Sequence, residues 1–192
     1  MLKRLSTPAP LEARFNSKSS SLTGFSLIEL IIVIAVIGVL AVMAITRMAN
    51  MPVMRMDMAA KTIQSDMRYI QSLAISTQKR TEIYFRADQD DYSAYIENTP
   101  GNWTLLTHTL TRQDFQVQLN SGEFMGVDLT LVYFNDFDRA LVFDKWGSPY
   151  SYNIGTGSAT PLVNPAYVTL TAGLNSKNIR VERGTGRVYI TE

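Results

Sequence analysis

The sequence predicts an α+β fold, in which one long N-terminal α-helix packs on an antiparallel β domain. The helix is expected to be apolar in its first half and amphipathic in its second. Three observations predict this. Residues 25–45 form an apolar run interrupted by one charge, Glu29. Residues 56–74 carry apolar side chains at steps of four and three. From Thr81 onward the apolar period falls to two, in short stretches separated by turn residues.

The first 24 residues are rich in Ser, Pro and Thr and set Lys3, Arg4, Arg14 and Lys18 against Glu12 alone. They read as a charged leader with no stable fold. The positive-inside rule keeps this segment cytoplasmic and sends the C-terminal part across a membrane. The run that follows, 25–45, is about 31 Å long as a helix, enough to cross a hydrocarbon core. A charged side chain near the centre of such a span costs roughly 2.5–3.5 kcal/mol, and less near its edge. Glu29 therefore calls for a partner or a task. A cut between Gly24 and Phe25 creates an α-amine at a similar depth. A secretory signal peptide fits poorly, because its cleavage site follows the apolar core and here the candidate site precedes it. An ordinary signal anchor leaves Glu29 without a role.

Residues 48–78 read as an amphipathic continuation of the helix. Met56, Ala60, Ile63, Met67, Ile70 and Ala74 share one face, and Arg55, Lys61, Gln64, Asp66 and Arg68 mostly fill the others. Pro52 removes a backbone donor and favours a kink or local break, and Gly38 is a second weak point. The methionines from Met48 to Met58 suit adaptable packing between neighbouring helices better than a metal or oxidation role.

Residues 79–192 are expected to form the β domain. Strands are predicted at 81–86, 92–96, 103–110, 115–119, 127–134, 140–143, 150–154, 167–171, 179–182 and 188–190. The first two flank a polar turn. The last two flank Arg183-Gly184-Thr185-Gly186, turn chemistry suited to a hairpin. The amphipathic half-helix is expected to lay its apolar face on one side of an antiparallel sheet. Gly155-Thr156-Gly157-Ser158 reads as a flexible loop.

The 192 residues carry a net charge of +1 and no cysteine. Without the leader the chain is slightly acidic, a balance that by itself points to neither nucleic acid nor an acidic scaffold. Disulfides are excluded, although an extracytoplasmic compartment permits them. The C-terminal region must hold by packing, by hydrogen bonds or by a bound ion.

No motif signals catalysis. His108 stands alone in an expected strand, where a hydrogen-bonding role is the simpler reading. One histidine and no cysteine argue against a conventional zinc site. No phosphate-binding glycine loop or nucleophile elbow is present. Asp88, Asp90 and Asp91 crowd one turn and Asp136, Asp138 and Asp144 another; both sets are hard oxygen ligands of the kind Ca²⁺ takes, but solvated turn carboxylates are the plainer reading. Lys177, Arg180, Arg183 and Arg187 bring positive charge to the terminal hairpin, opposed by Glu182. Phosphate contacts from such a patch give salt-sensitive, sequence-independent DNA binding; a solvated charged face is the plainer reading. Tyr133, Phe134, Phe137, Phe143, Trp146, Tyr150 and Tyr152 form a dense aromatic region, read chiefly as core.

Gly24-Phe25-Ser26-Leu27-Ile28-Glu29 before a long apolar helix resembles the class III signal of type IV pilins and pseudopilins. The resemblance implies that a membrane prepilin peptidase cuts after Gly24 and methylates the amine of Phe25. It implies that Glu29 guides the subunit into a growing filament. Many pilins of that family close a C-terminal loop with a disulfide, which this chain cannot do. The segment Arg68-Tyr69-Ile70-Gln71-Ser72-Leu73-Ala74-Ile75-Ser76 is similar to the H-type minor pseudopilins of type II secretion and of related pili, including the mannose-sensitive haemagglutinin type. So are Phe143-Asp144-Lys145-Trp146-Gly147-Ser148-Pro149 and Gly184-Thr185-Gly186-Arg187-Val188-Tyr189-Ile190. The implied protein is a minor subunit without enzymatic activity or cofactor, acting in filament initiation, capping or partner contact. Its implied partners are prepilin peptidase, other pilin subunits and an inner-membrane assembly platform. It would cross the inner membrane once and then enter a periplasmic or extracellular filament. The alternative is a membrane-anchored binding module, for DNA or another surface ligand, that needs neither cleavage nor Glu29.

Overall fold

The computed structural model describes residues 26–49, 51–108, 112–135 and 138–191. The leader and the Gly24–Phe25 bond lie outside the described residues. The chain divides between Ala44 and Ile45 into two compact units.

Helix α1 spans Leu27–Ala49. Its first turn is closed by the Leu30 amide, which donates to the Ser26 carbonyl at 3.1 Å. Gly38 does not interrupt it, and a Cβ at that position would meet open space beyond the helix's own backbone. From Ser26 to Val42 every side chain is exposed.

Helix α2 spans Met51–Thr77. Pro52 falls in its first turn, where a missing N–H costs nothing because that donor has no intrahelical acceptor. Asn50 lies outside the described residues, and so does the continuity expected between 25 and 77. The predicted face is the buried one: Met56, Ala60, Ile63, Met67, Ile70 and Ala74 are all at 1% exposure or less, and Ala59 widens the stripe. Gln78 ends the helix with a left-handed φ of 55°, the usual conformation just past a helix C-terminus.

Eleven strands follow among the described residues: β1 (Thr81–Arg86), β2 (Asp91–Thr99), β3 (Asn102–Leu105), β4 (Gln116–Gln118), β5 (Asp128–Tyr133), β6 (Ala140–Phe143), β7 (Pro149–Asn153), β8 (Ser158–Pro161), β9 (Ala166–Ala172), β10 (Asn175–Val181) and β11 (Val188–Thr191). All pairings are antiparallel. The larger sheet has the order β3-β2-β1-β6-β7-β8, with β4 sharing the outer edge of β2. The smaller has the order β11-β10-β9-β5. The chain passes between sheets three times, after β4, after β5 and after β8.

Helix α2 thus packs on two sheets, where one had been expected. It meets β1 and β6 of the larger sheet and β9, β10 and β11 of the smaller. Ile83 and Phe85, Val168 and Leu170, Ile179 and Val181, and Val188 join its buried face in one core. Polar side chains of α2 fix its height on that core. Gln64 Nε2 and Arg68 Nη2 both donate to the Val188 carbonyl, at 3.1 and 2.8 Å. Thr81 Oγ1 donates to the Ile70 carbonyl at 2.9 Å.

Two further expectations change. The strand predicted over 103–110 stops at Leu105, followed among the described residues by an isolated bridge from Thr107 to Asp114; residues 109 and 110 lie outside them. The loop predicted at 155–158 turns directly into β8, an edge strand whose four side chains are all exposed.

Candidate functional site

Glu29 stands in the first turn of α1, three residues after Ser26. That is the Ser-x-x-Glu spacing in which a helix start can satisfy its own free amides. A carboxylate there also meets the positive end of the helix dipole. Around it, Leu27 (76% exposed), Ile28 (65%), Ile34 (59%), Leu40 (59%) and Val42 (65%) make an apolar surface on all sides of the helix. Among the described residues no helix is long and apolar enough to cross a membrane. The run read from the sequence begins at Phe25 and ends at Ile45, and at both ends it reaches beyond the side chains described.

The aspartates of the first turn do not converge. Asp91 forms an ion pair with Arg86 and accepts from Gln116 Nε2 at 2.8 Å. Asp88 pairs with Arg139 at 2.9 Å. Asp90 accepts the Leu129 amide at 2.8 Å and so ties that turn to β5. In the second set, Asp136 lies outside the described residues, Asp144 accepts the amides of Trp146 and Ser148, at 2.9 and 2.8 Å, and Asp138 accepts from Ser151 and Asn153. Among the described residues no group of three acidic or histidine side chains is placed to share a cation.

The basic residues of the hairpin are also separated. Lys177 is paired with Asp57 of α2. Three residues on, Arg180 takes the opposite side of the strand, as strand alternation requires. Arg183 donates to the Val163 carbonyl at 3.3 Å, and Arg187 lies 3.7 Å from Glu182. The aromatic region divides likewise. Phe134 and Phe143 are in the core, Tyr133 stacks on Tyr167, and Trp146 is 72% exposed. His108 is half-buried, its ring 5.1 Å from Phe115.

The three segments that carry the H-type resemblance do come together. Gln71 Nε2 donates to the Gly147 carbonyl at 2.8 Å and to the Thr185 carbonyl at 2.9 Å. One amide of α2 thereby clamps the turn after β6 and the β10–β11 hairpin. Gly186, at φ +67°, permits the approach: a Cβ there would stand 2.5 Å from Gln71 Nε2 and 2.9 Å from the Gly147 oxygen.

One residue was not singled out from the sequence. Glu82 on β1 points to the outer face of the larger sheet, away from α2, yet is only 4% exposed. Tyr84, Tyr95, Trp103, Tyr152, Ile154 and Gly101 line a cleft of about 430 Å³ over it. Burial raises its pKa from the ordinary 4.5 to about 7, against the opposing field of Arg80, with Glu97 adding to the rise. In a period-two strand a charged residue reads as a solvent-facing one, and the aromatic cover comes from strands distant in sequence.

No protein-family profile and no curated relative match the chain. Among solved structures it is similar to the minor pseudopilin EpsH from the type 2 secretion system of Vibrio cholerae. The TM-score is 0.52 at 9% identity, over 71% of this chain and 96% of that one. At this identity the likeness is one of fold: the chain has a pseudopilin-like α+β architecture.

Proposed function

We propose that this chain is a minor pilin or pseudopilin subunit of the H type, serving a type IV pilus or a type II secretion pseudopilus. Prepilin peptidase cuts between Gly24 and Phe25 and methylates the Phe25 amine. The subunit crosses the inner membrane once until it is drawn into a filament, where its partners are other pilin subunits and the assembly platform. Glu29 pairs with a Phe25 amine, its own or a neighbour's, in a medium where the attraction far exceeds its value in water. The protein needs no cofactor and catalyses no reaction.

The observation that carries this reading is the contrast within one chain. A helix start with one carboxylate and an apolar surface on all sides is joined to a β domain whose fold is shared with a minor pseudopilin. Such a surface needs lipid or other helices around it. The pairing of Lys177 with Asp57, on the opposite side of the strand from Arg180, takes one of the four cations out of the patch on which the DNA-binding alternative rests.

The test is the N-terminal sequence and mass of the protein purified from membranes of a host with its prepilin peptidase. A chain beginning at Phe25 and heavier by one methyl group is expected. A chain that keeps residues 1–24 overturns the reading. Glu29→Gln is expected to leave processing intact and to abolish incorporation into filaments.

A further inference from the structure

We propose that the cleft on the outer face of the larger sheet binds an alkylammonium group, such as a lysine side chain carries, with Glu82 as counter-ion and Tyr84, Trp103 and Tyr152 as walls. Glu82 is only 4% exposed, and among the described residues no hydrogen bond or ion pair holds its carboxylate. Arg80, the cation whose field reaches it, is committed elsewhere. Its guanidinium lies 3.4 Å from Glu97 and rests over the rings of Trp103 (5.5 Å) and Tyr152 (5.9 Å). A buried carboxylate without a partner is costly, and a ligand that brings a positive charge relieves that cost directly.

The rings make the same choice of ligand. Aromatic faces attract cations, and these two already hold one in Arg80. Trp103 Nε1 donates to the Tyr152 hydroxyl at 3.3 Å, which fixes the pair edge to ring at a centroid distance of 5.5 Å. The apolar surfaces of Tyr84, Ile154 and the rings suit a methylene stem, and the acid at the floor suits its charged end. An anion would meet Glu82 and Glu97 together. A neutral hydroxyl compound would leave the charge of Glu82 uncompensated. The charged and titratable groups around the carboxylate are Arg80 and Tyr84 on its own strand or just before it, Tyr95 and Glu97 on β2, and Tyr152 on β7.

The experiment uses the full chain in non-ionic detergent with Trp146→Phe, so that Trp103 is the sole tryptophan. At pH 8 and constant ionic strength, n-butylammonium is titrated against Trp103 emission, with n-butanol as the neutral control. A saturable change is expected with the amine and not with the alcohol. Glu82→Gln, of the same shape, is expected to weaken binding about tenfold or more, the usual cost of removing a charged hydrogen-bond partner. Tyr84→Leu, at a half-exposed position, is expected to weaken it about threefold through loss of one ring face. Nα-acetyl-lysine methylamide is expected to bind at least as tightly as butylammonium. The proposal is overturned by the absence of a saturable change, by equal response to butanol, or by unchanged affinity in Glu82→Gln. Failure of the lysine derivative alone overturns the lysine assignment. None of these outcomes bears on whether residues 1–24 are removed.

Discussion

Helices α1 and α2 follow one another in the chain, and the exposure of their apolar side chains is opposite. On α2 one stripe is sealed at 1% exposure or less by the two sheets, while the remaining faces carry charge. On α1 the large apolar side chains from Leu27 to Val42 stand 45–76% exposed on every side. The difference teaches where each helix finds its burial. A stripe means that the rest of the same chain covers the helix; an apolar surface all round means that something outside the chain must.

The largest expected effect tests that contrast directly. Ile63→Ala is expected to destabilise the β domain by about 2–5 kcal/mol, because the site is closed on all sides and a cavity remains. Ile34→Ala on α1 is expected to change the same unfolding midpoint by less than about 0.5 kcal/mol. Equal effects in denaturant titrations would break the comparison.

Glutamates sharpen it. The proton of Glu82 is held more tightly in the folded chain, since its pKa is raised from 4.5 to about 7. Between those values the folded state binds more protons than the unfolded one, so this group costs stability as pH rises. The loss is complete above about pH 7 and absent below the ordinary carboxylate range, and amounts to about 3 kcal/mol. Glu82→Gln is therefore expected to raise the melting temperature at pH 8 and to leave it nearly unchanged at pH 4. Glu29→Gln, on α1, is expected to leave the melting temperature of the β domain unchanged.

Glycines give the smallest effect. Gly186→Ala is expected to cost about 2 kcal/mol, because its φ is positive and the new methyl would overlap Gln71 and the Gly147 carbonyl. Gly38→Ala on α1 meets open space and is expected to favour the helix by about 1 kcal/mol or less, read as helical content by circular dichroism.

The stripe of α2 was legible in the sequence because six side chains repeat at helical spacing, and each of them is buried. Strands β1 and β6 were legible to the residue, and the terminal hairpin through its Gly-Thr-Gly turn. Strand β8 was not, because all four of its side chains face solvent and no alternation marks it. The second sheet was invisible for a different reason: a period of two says that a strand has a buried face, but not which strand lies beside it. The same limit hid Glu82. Its covering rings come from β2, β3 and β7, up to 70 positions along the chain. The loose H-type segments, by contrast, acquire a shared physical cause, since all three end at the Gln71 amide.

That amide has a consequence for where and how fast the terminal hairpin sets. A hydrogen-bonded clamp needs no oxidant and no isomerase, so the hairpin can close as soon as the chain has collapsed. It is equally indifferent to reductants. It also yields under tension at far lower force than a covalent bridge, and it re-forms without chemistry when the load is removed.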